Sequence, residues 1–228
     1  MLLQPNNNFS IDYLKAQLLS AIDRGYKFLT LQEFIDAGCP NEKAFVIRLD
    51  LDFKPQTLRP FVVLAKELEI KYTVFVRTSG PYNVFWYPNT QCLLDAHEVG
   101  CEMGLHSTPV EWATIMGTNI KDTLRGELEA LRTFFPVTSM APHRDINYMY
   151  NSLPWLDENW SEVSHDLKLN YHAYERRILD NVLYVNEGLS PHLCWRGMTP
   201  AEAVETGKSI CLLLHPHWWY VNHPFETD

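Results

Sequence analysis

An apolar run that ends in two carboxylates is the feature that most constrains this chain. The run spans residues 44–52, reads AFVIRLDLD and closes with Asp50 and Asp52. Its apolar residues predict a buried strand, and residues two apart on a strand point to the same side. Two carboxylates so placed indicate a metal held by one and a base formed by the other, or a shared proton. The simpler alternative is a pair of solvated aspartates that cap a following helix.

Strand-like and helix-like segments alternate along the rest of the sequence, which is typical of a parallel sheet with helices outside it. Because polar residues end several separate strands, a barrel is favoured over an open doubly wound sheet. No linker or repeat divides the chain, so we expect one domain over residues 1–228, with residues 1–40 as an N-terminal helical extension packed on it. Residues 151–177 are predicted to be rich in loops. The predicted strands are 44–52, 72–76, 101–105, 137–141, 182–185 and 209–214.

Composition narrows the function classes. Hydrophobic residues make up 46% of the 228 residues, which supports a packed core. The formal net charge of -9 disfavours nucleic-acid binding, for which a basic stripe is expected. The 5 cysteines form no CxxC pair and indicate a reducing compartment. Without a visible signal peptide or a membrane-spanning run, we expect a cytoplasmic protein with no membrane partner; the oligomeric state stays open.

Histidines stand at the ends of three further predicted strands: His106, His143 and His215, with His217 close behind. Imidazole and carboxylate together suit Zn²⁺ or a similar divalent ion. A catalytic site of this kind needs about three protein ligands and an open position. The chain carries neither a GxGxxG pattern nor a phosphate loop, which weakens the alternative of a nucleotide-binding protein.

Four local stretches resemble the motifs of one family: RLDLD at 48–52, YTVFV at 72–76, HEVGCEMGLHS at 97–107 and LLLHP at 212–216. On these residues the chain resembles the polysaccharide deacetylase superfamily, the metal-dependent carbohydrate esterases, from about Phe45 to about Trp219. The resemblance implies an irregular (β/α)7 barrel that is TIM-barrel-like. It also implies that Asp50 is the general base, Asp52 and His106 bind the metal, and His215 is the catalytic acid.

The second family motif is incomplete in this chain. The family usually has another metal-binding His four residues after the first, and here that position is Val110. His143 is the candidate substitute for the third ligand. Arg144 fits the family's third motif, whose Arg orients the catalytic Asp. The first motif and the HPHWW ending resemble an atypical branch of the family.

Several aromatic residues are candidates for substrate binding. Trp86, Tyr87, Trp218 and Trp219 offer faces on which a sugar ring can stack, and His217 is a further candidate contact. The alternative for each aromatic residue is packing in the core or at its rim.

The residues together favour a metal-dependent hydrolase that removes an N-linked or O-linked acetyl group from a carbohydrate or another small acetylated substrate. The expected cofactor is a divalent metal, with zinc preferred. One alternative is a different amide or C–N hydrolase on the same barrel. Another is a non-catalytic carbohydrate-binding pseudoenzyme, which Val110 supports and which the retention of Asp50, Asp52, His106 and His215 disfavours.

Overall fold

The structure, a computed structural model, describes residues 9–143, 151–188 and 194–221. The strands are β1 Lys27–Leu29, β2 Ala44–Leu51, β3 Thr73–Arg77, β4 Glu102–Ser107, β5 Ser139–Pro142, β6 Tyr171–His172, β7 Leu183–Asn186 and β8 Ile210–Leu214. The helices are α1 Ile11–Asp23, α2 Leu31–Asp36, α3 Arg59–Leu68, α4 Tyr87–Glu98, α5 Pro109–Met116, α6 Ile120–Arg132, α7 Ser152–Leu167, α8 Arg176–Leu179 and α9 Pro200–Glu205.

The strands form one parallel sheet in the order β6-β5-β4-β3-β2-β8-β7, and β1 pairs with β2 as well. The sheet is curled, with helices around it. Because no ladder joins β6 to β7 over the described ranges, it forms a half-barrel and not a closed barrel. The predicted irregular barrel of alternating strands and helices is confirmed. None of the helices in these ranges combines the length and apolarity that crossing a bilayer requires.

Strand β2 lies in the middle of the sheet and is buried along its whole length. Phe45, Ile47 and Leu49 belong to the outer cluster, the large apolar core that includes residues of the surrounding helices. Ala44 and Val46 belong to the inner cluster, which fills the concave side of the half-barrel. Because side chains alternate along a strand, Arg48 and Asp50 also point to this concave side.

Helix α2 closes the end of the half-barrel at which the strands begin. Its backbone N–H groups at Leu31 and Gln32 donate to Thr73 and Glu102, which start β3 and β4. Leu31 and Phe34 complete the inner cluster beneath β2. The helix starts in the predicted capping box, in which Thr30 and Glu33 satisfy each other's backbone N–H groups. The end of the half-barrel at which the strands finish is not covered by α2 and can therefore hold a functional site.

Two parts of the sequence prediction differ from the structure. The segment predicted to be rich in loops contains α7, a 16-residue helix. Its residues Leu156, Trp160, Val163 and Leu167 recur at helical spacing, and Pro154 in the first turn does not interrupt a helix. The N-terminal extension is not purely helical either, because β1 lies between its two helices and adds to the sheet.

Gly104 of β4 is the position where the inner side tolerates no side chain. A Cβ there would lie 2.5 Å from two atoms of the Phe75 ring. We expect Gly104→Ala to lower the free energy of unfolding by about 1–3 kcal/mol, because the ring would have to move within a packed core. Gly126→Ala, on an open face of α6, is the matched control and should raise stability by about 0.5–1 kcal/mol. Urea unfolding of both variants measures this, and equal effects would contradict the packing argument.

Candidate active site

The predicted polar residues lie at the C-terminal ends of four strands, along one edge of the half-barrel. Asp50 and Asp52 come from the end of β2, His106 from β4, His143 from the residue after β5, and His215 from the residue after β8. All these strands run parallel, so their C-terminal ends meet at the same edge. The His143 backbone N–H donates to the Ser107 carbonyl oxygen at 2.7 Å, which ties the ends of β4 and β5 together.

Asp52, His106 and His143 form a cluster whose ligand atoms all lie within 4.8 Å of one another. Asp52 Oδ1 is 3.3 Å from His106 Nε2 and 3.5 Å from His143 Nε2. Asp52 Oδ1 and His106 Nε2 are both buried, and neither atom makes a hydrogen bond with a described residue. Buried polar atoms without partners are rare, and here they face each other.

The hydrogen bond of His106 fixes which of its nitrogens is free. Nδ1 lies 2.8 Å from the Ala141 carbonyl oxygen, which can only accept, so Nδ1 carries the proton. In the neutral ring the Nε2 lone pair then points at carboxylate oxygens of Asp52, at 3.3 Å, and of Asp50, at 3.4 Å. This arrangement is repulsive while the ring is neutral, and either a proton on Nε2 or a metal cation among these atoms makes it attractive. One carboxylate and two imidazoles therefore fit a divalent metal ion.

The protonation states also suit metal binding. Burial lowers the pKa of His143, which keeps its ring neutral at physiological pH. Burial alone would raise the pKa of Asp52, but its contacts with His106 and His143 outweigh that effect and lower it. A neutral imidazole and an ionised carboxylate are the forms in which these side chains bind metals.

Arg48 holds Asp50 in a bidentate ion pair on the concave side of β2. Arg48 Nε donates to Asp50 Oδ1 and Arg48 Nη2 to Asp50 Oδ2, both at 2.7 Å. The guanidinium contacts two aromatic rings, with its carbon 5.3 Å from the centroid of Phe75 and 4.5 Å from that of Tyr174. Burial would raise the pKa of Asp50, yet the Arg48 charge lowers it, so Asp50 is ionised.

Among the described residues, the arginine that contacts Asp50 is Arg48, which the sequence motifs did not single out. Arg144 lies outside the described residues, so its predicted role stays a prediction. Arg48 was missed although it carried a usable signal. It is a charged residue in the middle of an apolar strand, two positions before Asp50 and therefore on the same side of the strand.

His215 has a carboxylate partner that the sequence analysis also missed. Its Nδ1 is 3.3 Å from Oε1 of Glu187, and its backbone N–H donates to the same oxygen. Its Nε2 faces the cluster, 3.8 Å from Asp52 Oδ2. Burial would lower the pKa of His215, but Glu187 outweighs that effect and raises it. The signal was again a polar residue at a strand end, because Glu187 directly follows β7.

Aromatic rings of the last segment line the same edge. The Trp218 ring centroid is 4.6 Å from that of His215, and the His217 centroid is 4.5 Å from that of Phe53, which follows Asp52. Burial lowers the pKa of His217 to about 4. His217 and Trp218 therefore stand beside the catalytic candidates, as neutral rings that a substrate can contact.

The other aromatic candidates lie elsewhere. Trp86 and Tyr87, at the start of α4, are 58% and 75% exposed, and no ring contact among the described residues links them to the cluster. Trp219 is buried, with its ring centroid 5.2 Å from that of Phe9. Trp219 is therefore a core residue and not a wall of the site.

Neither a protein-family model nor a curated protein matches this chain. Among solved structures, a CE4 family pseudoenzyme from Bacillus anthracis has a TM-score of 0.43 and 15% identity over 78% of this chain and 56% of its own. A mutant of that pseudoenzyme with restored enzymatic activity has the same TM-score and identity over 78% of this chain and 58% of its own. A mutant of the peptidoglycan deacetylase PdaC from Bacillus subtilis has a TM-score of 0.37 and 17% identity, over 77% of this chain and 89% of its own.

These neighbours are CE4 family proteins, the polysaccharide deacetylases whose motifs the sequence resembles. The chain spans 58% and 56% of the length of the first two. At identities of 15–17%, the likeness does not carry their activities over to this chain. The case for a function here depends on the residues at the strand ends.

We expect Arg48→Met to lower the free energy of unfolding of the metal-free protein by about 3–5 kcal/mol, because it leaves Asp50 buried and unpaired. Adding Asp50→Asn should recover part of this loss, so that the double variant loses less than the sum of the single variants. Urea unfolding measures all three. Lys15→Met, which breaks an exposed pair with Glu67, is the control and should cost less than about 1 kcal/mol. Additive losses at Arg48 and Asp50 would contradict the pairing.

Proposed function

We propose that this chain is a metal-dependent hydrolase that removes an acetyl group from a carbohydrate. The observation that carries the proposal is the cluster of Asp52, His106 and His143, in which unpaired ligand atoms face one another. An ionised Asp50 and a carboxylate-supported His215 border the same space. Water activation, carbonyl polarisation and protonation of a leaving group are thus available within one edge of the half-barrel.

Asp52, His106 and His143 would hold the metal, for which Zn²⁺ fits the mixture of imidazole and carboxylate ligands. When bound, such an ion polarises the scissile carbonyl and makes a water molecule more acidic. His143 takes the place of the imidazole that the family has at the position of Val110. Because His143 comes from β5 rather than α5, the donor set is assembled from three different strand ends.

Asp50 is the proposed general base. It is ionised because of Arg48, and the bidentate pair fixes the plane of its carboxylate. Each carboxylate oxygen retains a lone pair beyond the one that Arg48 occupies. Asp50 would accept the proton of the water that attacks the acetyl carbonyl carbon. Arg48 acts through Asp50 and is a positioning residue.

His215 is the proposed general acid. Glu187 raises its pKa, so the imidazolium form persists toward neutral pH, and its Nε2 faces the cluster. His215 would give the Nε2 proton to the nitrogen or oxygen of the leaving sugar as its bond to the acetyl carbon breaks. Acetate and the free amine or hydroxyl are then the products. Glu187 lies 3.3 Å from Nδ1 of this ring and accepts the hydrogen bond of the His215 backbone N–H, so it is the proposed positioning residue.

Two features support a carbohydrate as the substrate. The sequence motifs resemble those of carbohydrate deacetylases, and one structural neighbour is described as a peptidoglycan deacetylase. The rings of His217, Trp218 and Phe53 stand at the same edge as the catalytic candidates. Rings in such positions provide apolar faces for the C–H groups of a sugar. Trp86 and Tyr87, as exposed residues at the start of α4, are proposed as more distant contacts of a longer substrate.

The proposed metal centre predicts which substitutions remove zinc. Protein without a histidine tag, loaded with zinc and desalted, should retain about one equivalent, and Asp52→Ala and His143→Ala should each lose it because they remove a ligand. His165→Ala, which removes an exposed histidine of α7, should retain it. Elemental analysis by mass spectrometry measures the content. Retention of zinc by His143→Ala would remove His143 from the donor set, and absence of zinc from the unmodified protein would favour a pseudoenzyme.

Glu187→Gln tests the support of the acid. The substitution keeps an oxygen for the His215 backbone N–H and removes the charge that raises the pKa of His215. We expect kcat for acetate release to fall by at least about tenfold with little change in KM.

The pH dependence of activity should also change in Glu187→Gln, and the direction of the change follows from the role of His215. Activity needs protonated His215 and is lost as pH rises through its pKa, so without the Glu187 charge the loss should occur at lower pH. Glu67→Gln, at an exposed site, is the control and should leave the profile unchanged. An unshifted alkaline limb in Glu187→Gln would contradict the assignment.

A further inference from the structure

Two of the three proposed metal ligands are held in place by strand pairing. His106 lies within β4, which pairs with β3 on one side and with β5 on the other. His143 directly follows β5, and its backbone N–H extends that pairing by donating to the Ser107 carbonyl oxygen at 2.7 Å. The backbone at both histidines is therefore fixed by hydrogen bonds between neighbouring strands.

The third proposed ligand, Asp52, lies beyond the pairing of its strand. Strand β2 ends at Leu51, and its register with β3 ends there as well, opposite Val76. The Asp52 backbone N–H donates to the Asp50 carbonyl oxygen at 3.2 Å, which is a contact within its own segment. A contact with another segment is needed to fix the Asp52 backbone relative to His106 of β4.

Tyr82 supplies that contact. Its hydroxyl donates to the Leu51 carbonyl oxygen at 2.9 Å and accepts the backbone N–H of Arg77 at 3.0 Å. Leu51 is the last residue of β2 and Arg77 the last of β3, so one phenol oxygen joins the ends of two neighbouring strands. The Leu51 carbonyl and the Asp52 N–H belong to the same planar peptide group. Because Tyr82 holds the carbonyl of this group and Asp50 holds its N–H, the direction in which the chain enters Asp52 is fixed.

Tyr82 is itself held by the segment that follows β3. A Cβ at Gly80 would lie 3.0 Å from a carbon of the Tyr82 ring and 3.1 Å from Cβ of Arg77, so the chain folds back closely against the ring. The carbonyl oxygen of the next residue, Asn83, accepts a hydrogen bond at 2.8 Å from the side chain of Asn89, which is buried in α4. The Tyr82 ring is half-buried and packs on the outer cluster. Its hydroxyl is therefore a fixed point to which the end of β2 is attached.

We propose that Tyr82 is a positioning residue of the candidate metal centre, which holds Asp52 in place for metal binding through the peptide group between Leu51 and Asp52. The proposal rests on the proposed function, because it assigns Tyr82 a role toward a metal ligand named there. Distances between a metal and its ligand atoms are defined to within about 0.2 Å, so a small displacement of the Asp52 backbone is enough to weaken coordination. Contacts that orient metal ligands are commonly worth a factor of about 10–100 in metal affinity.

The test compares Tyr82→Phe with Tyr26→Phe, each of which removes one phenol hydroxyl that bonds to the backbone. Tyr26 is buried, and its hydroxyl lies 3.0 Å from the carbonyl oxygens of Val204 and Lys208. It directly precedes β1, at the end of the half-barrel opposite the candidate site, and is therefore the matched control. We expect the Kd for zinc to rise by about tenfold in Tyr82→Phe and to stay unchanged in Tyr26→Phe. Competition with a chromogenic chelator measures the Kd, and urea unfolding verifies that both variants are folded.

A second measurement does not depend on the metal. Amide hydrogen exchange of the metal-free protein, followed by NMR, reports how firmly each backbone N–H is held. The N–H groups of Asp52 and Arg77 should lose protection in Tyr82→Phe, because the peptide group before Asp52 is released and Arg77 loses its acceptor. Both groups should keep their protection in Tyr26→Phe.

A Kd for zinc that Tyr82→Phe leaves unchanged, or that both variants raise equally, overturns the proposal. Weaker zinc binding confined to Tyr82→Phe, together with loss of protection at Asp52, supports it. If the unmodified protein binds no zinc, the proposed function fails and amide exchange alone decides the role of Tyr82. Loss of protection at Asp52 in Tyr82→Phe then supports the positioning of Asp52, and retained protection overturns it.

Discussion

The ion pair between Arg48 and Asp50 is the interaction on which the rest of the site depends. Both residues are buried in the central strand, and each would carry an uncompensated charge without the other. The concave side is built around this pair, with Phe75 and Tyr174 on the guanidinium and Gly104 leaving space for the Phe75 ring. A packed interior thus fixes the position of the proposed base.

Charge balance links this pair to the proposed metal. The strand ends collect three carboxylates, Asp50, Asp52 and Glu187, of which Arg48 compensates one and His215 contacts another. Asp52 is left with two imidazoles, His106 and His143, as its neighbours. The proposed divalent cation would supply positive charge to these buried groups and would join ligand atoms that make no hydrogen bond to one another. The same ion that stabilises the edge would therefore also perform its chemistry.

The sequence predicted the elements whose signals are local, and it predicted less where partners come from distant segments. The strand ending at Asp52, the capping box at Thr30 and the histidines at strand ends follow from residues near one another in the chain. The pairing of Glu187 with His215 depends on the adjacency of β7 and β8, which spacing alone does not reveal. The position of Arg48 on the same side of the strand as Asp50 could be predicted from their two-residue spacing. Helix α7 could be predicted from the helical spacing of its apolar residues. The contribution of Arg144 lies outside the described residues.

The most direct test of the central claim is a crystal structure of the zinc-loaded protein with an anomalous difference map collected at the zinc absorption edge. The account predicts one strong peak among Asp52 Oδ1, His106 Nε2 and His143 Nε2, with Asp50 still paired to Arg48. A peak bound by other side chains, or no peak at this edge in zinc-loaded crystals, would contradict the metal centre and the hydrolase built on it.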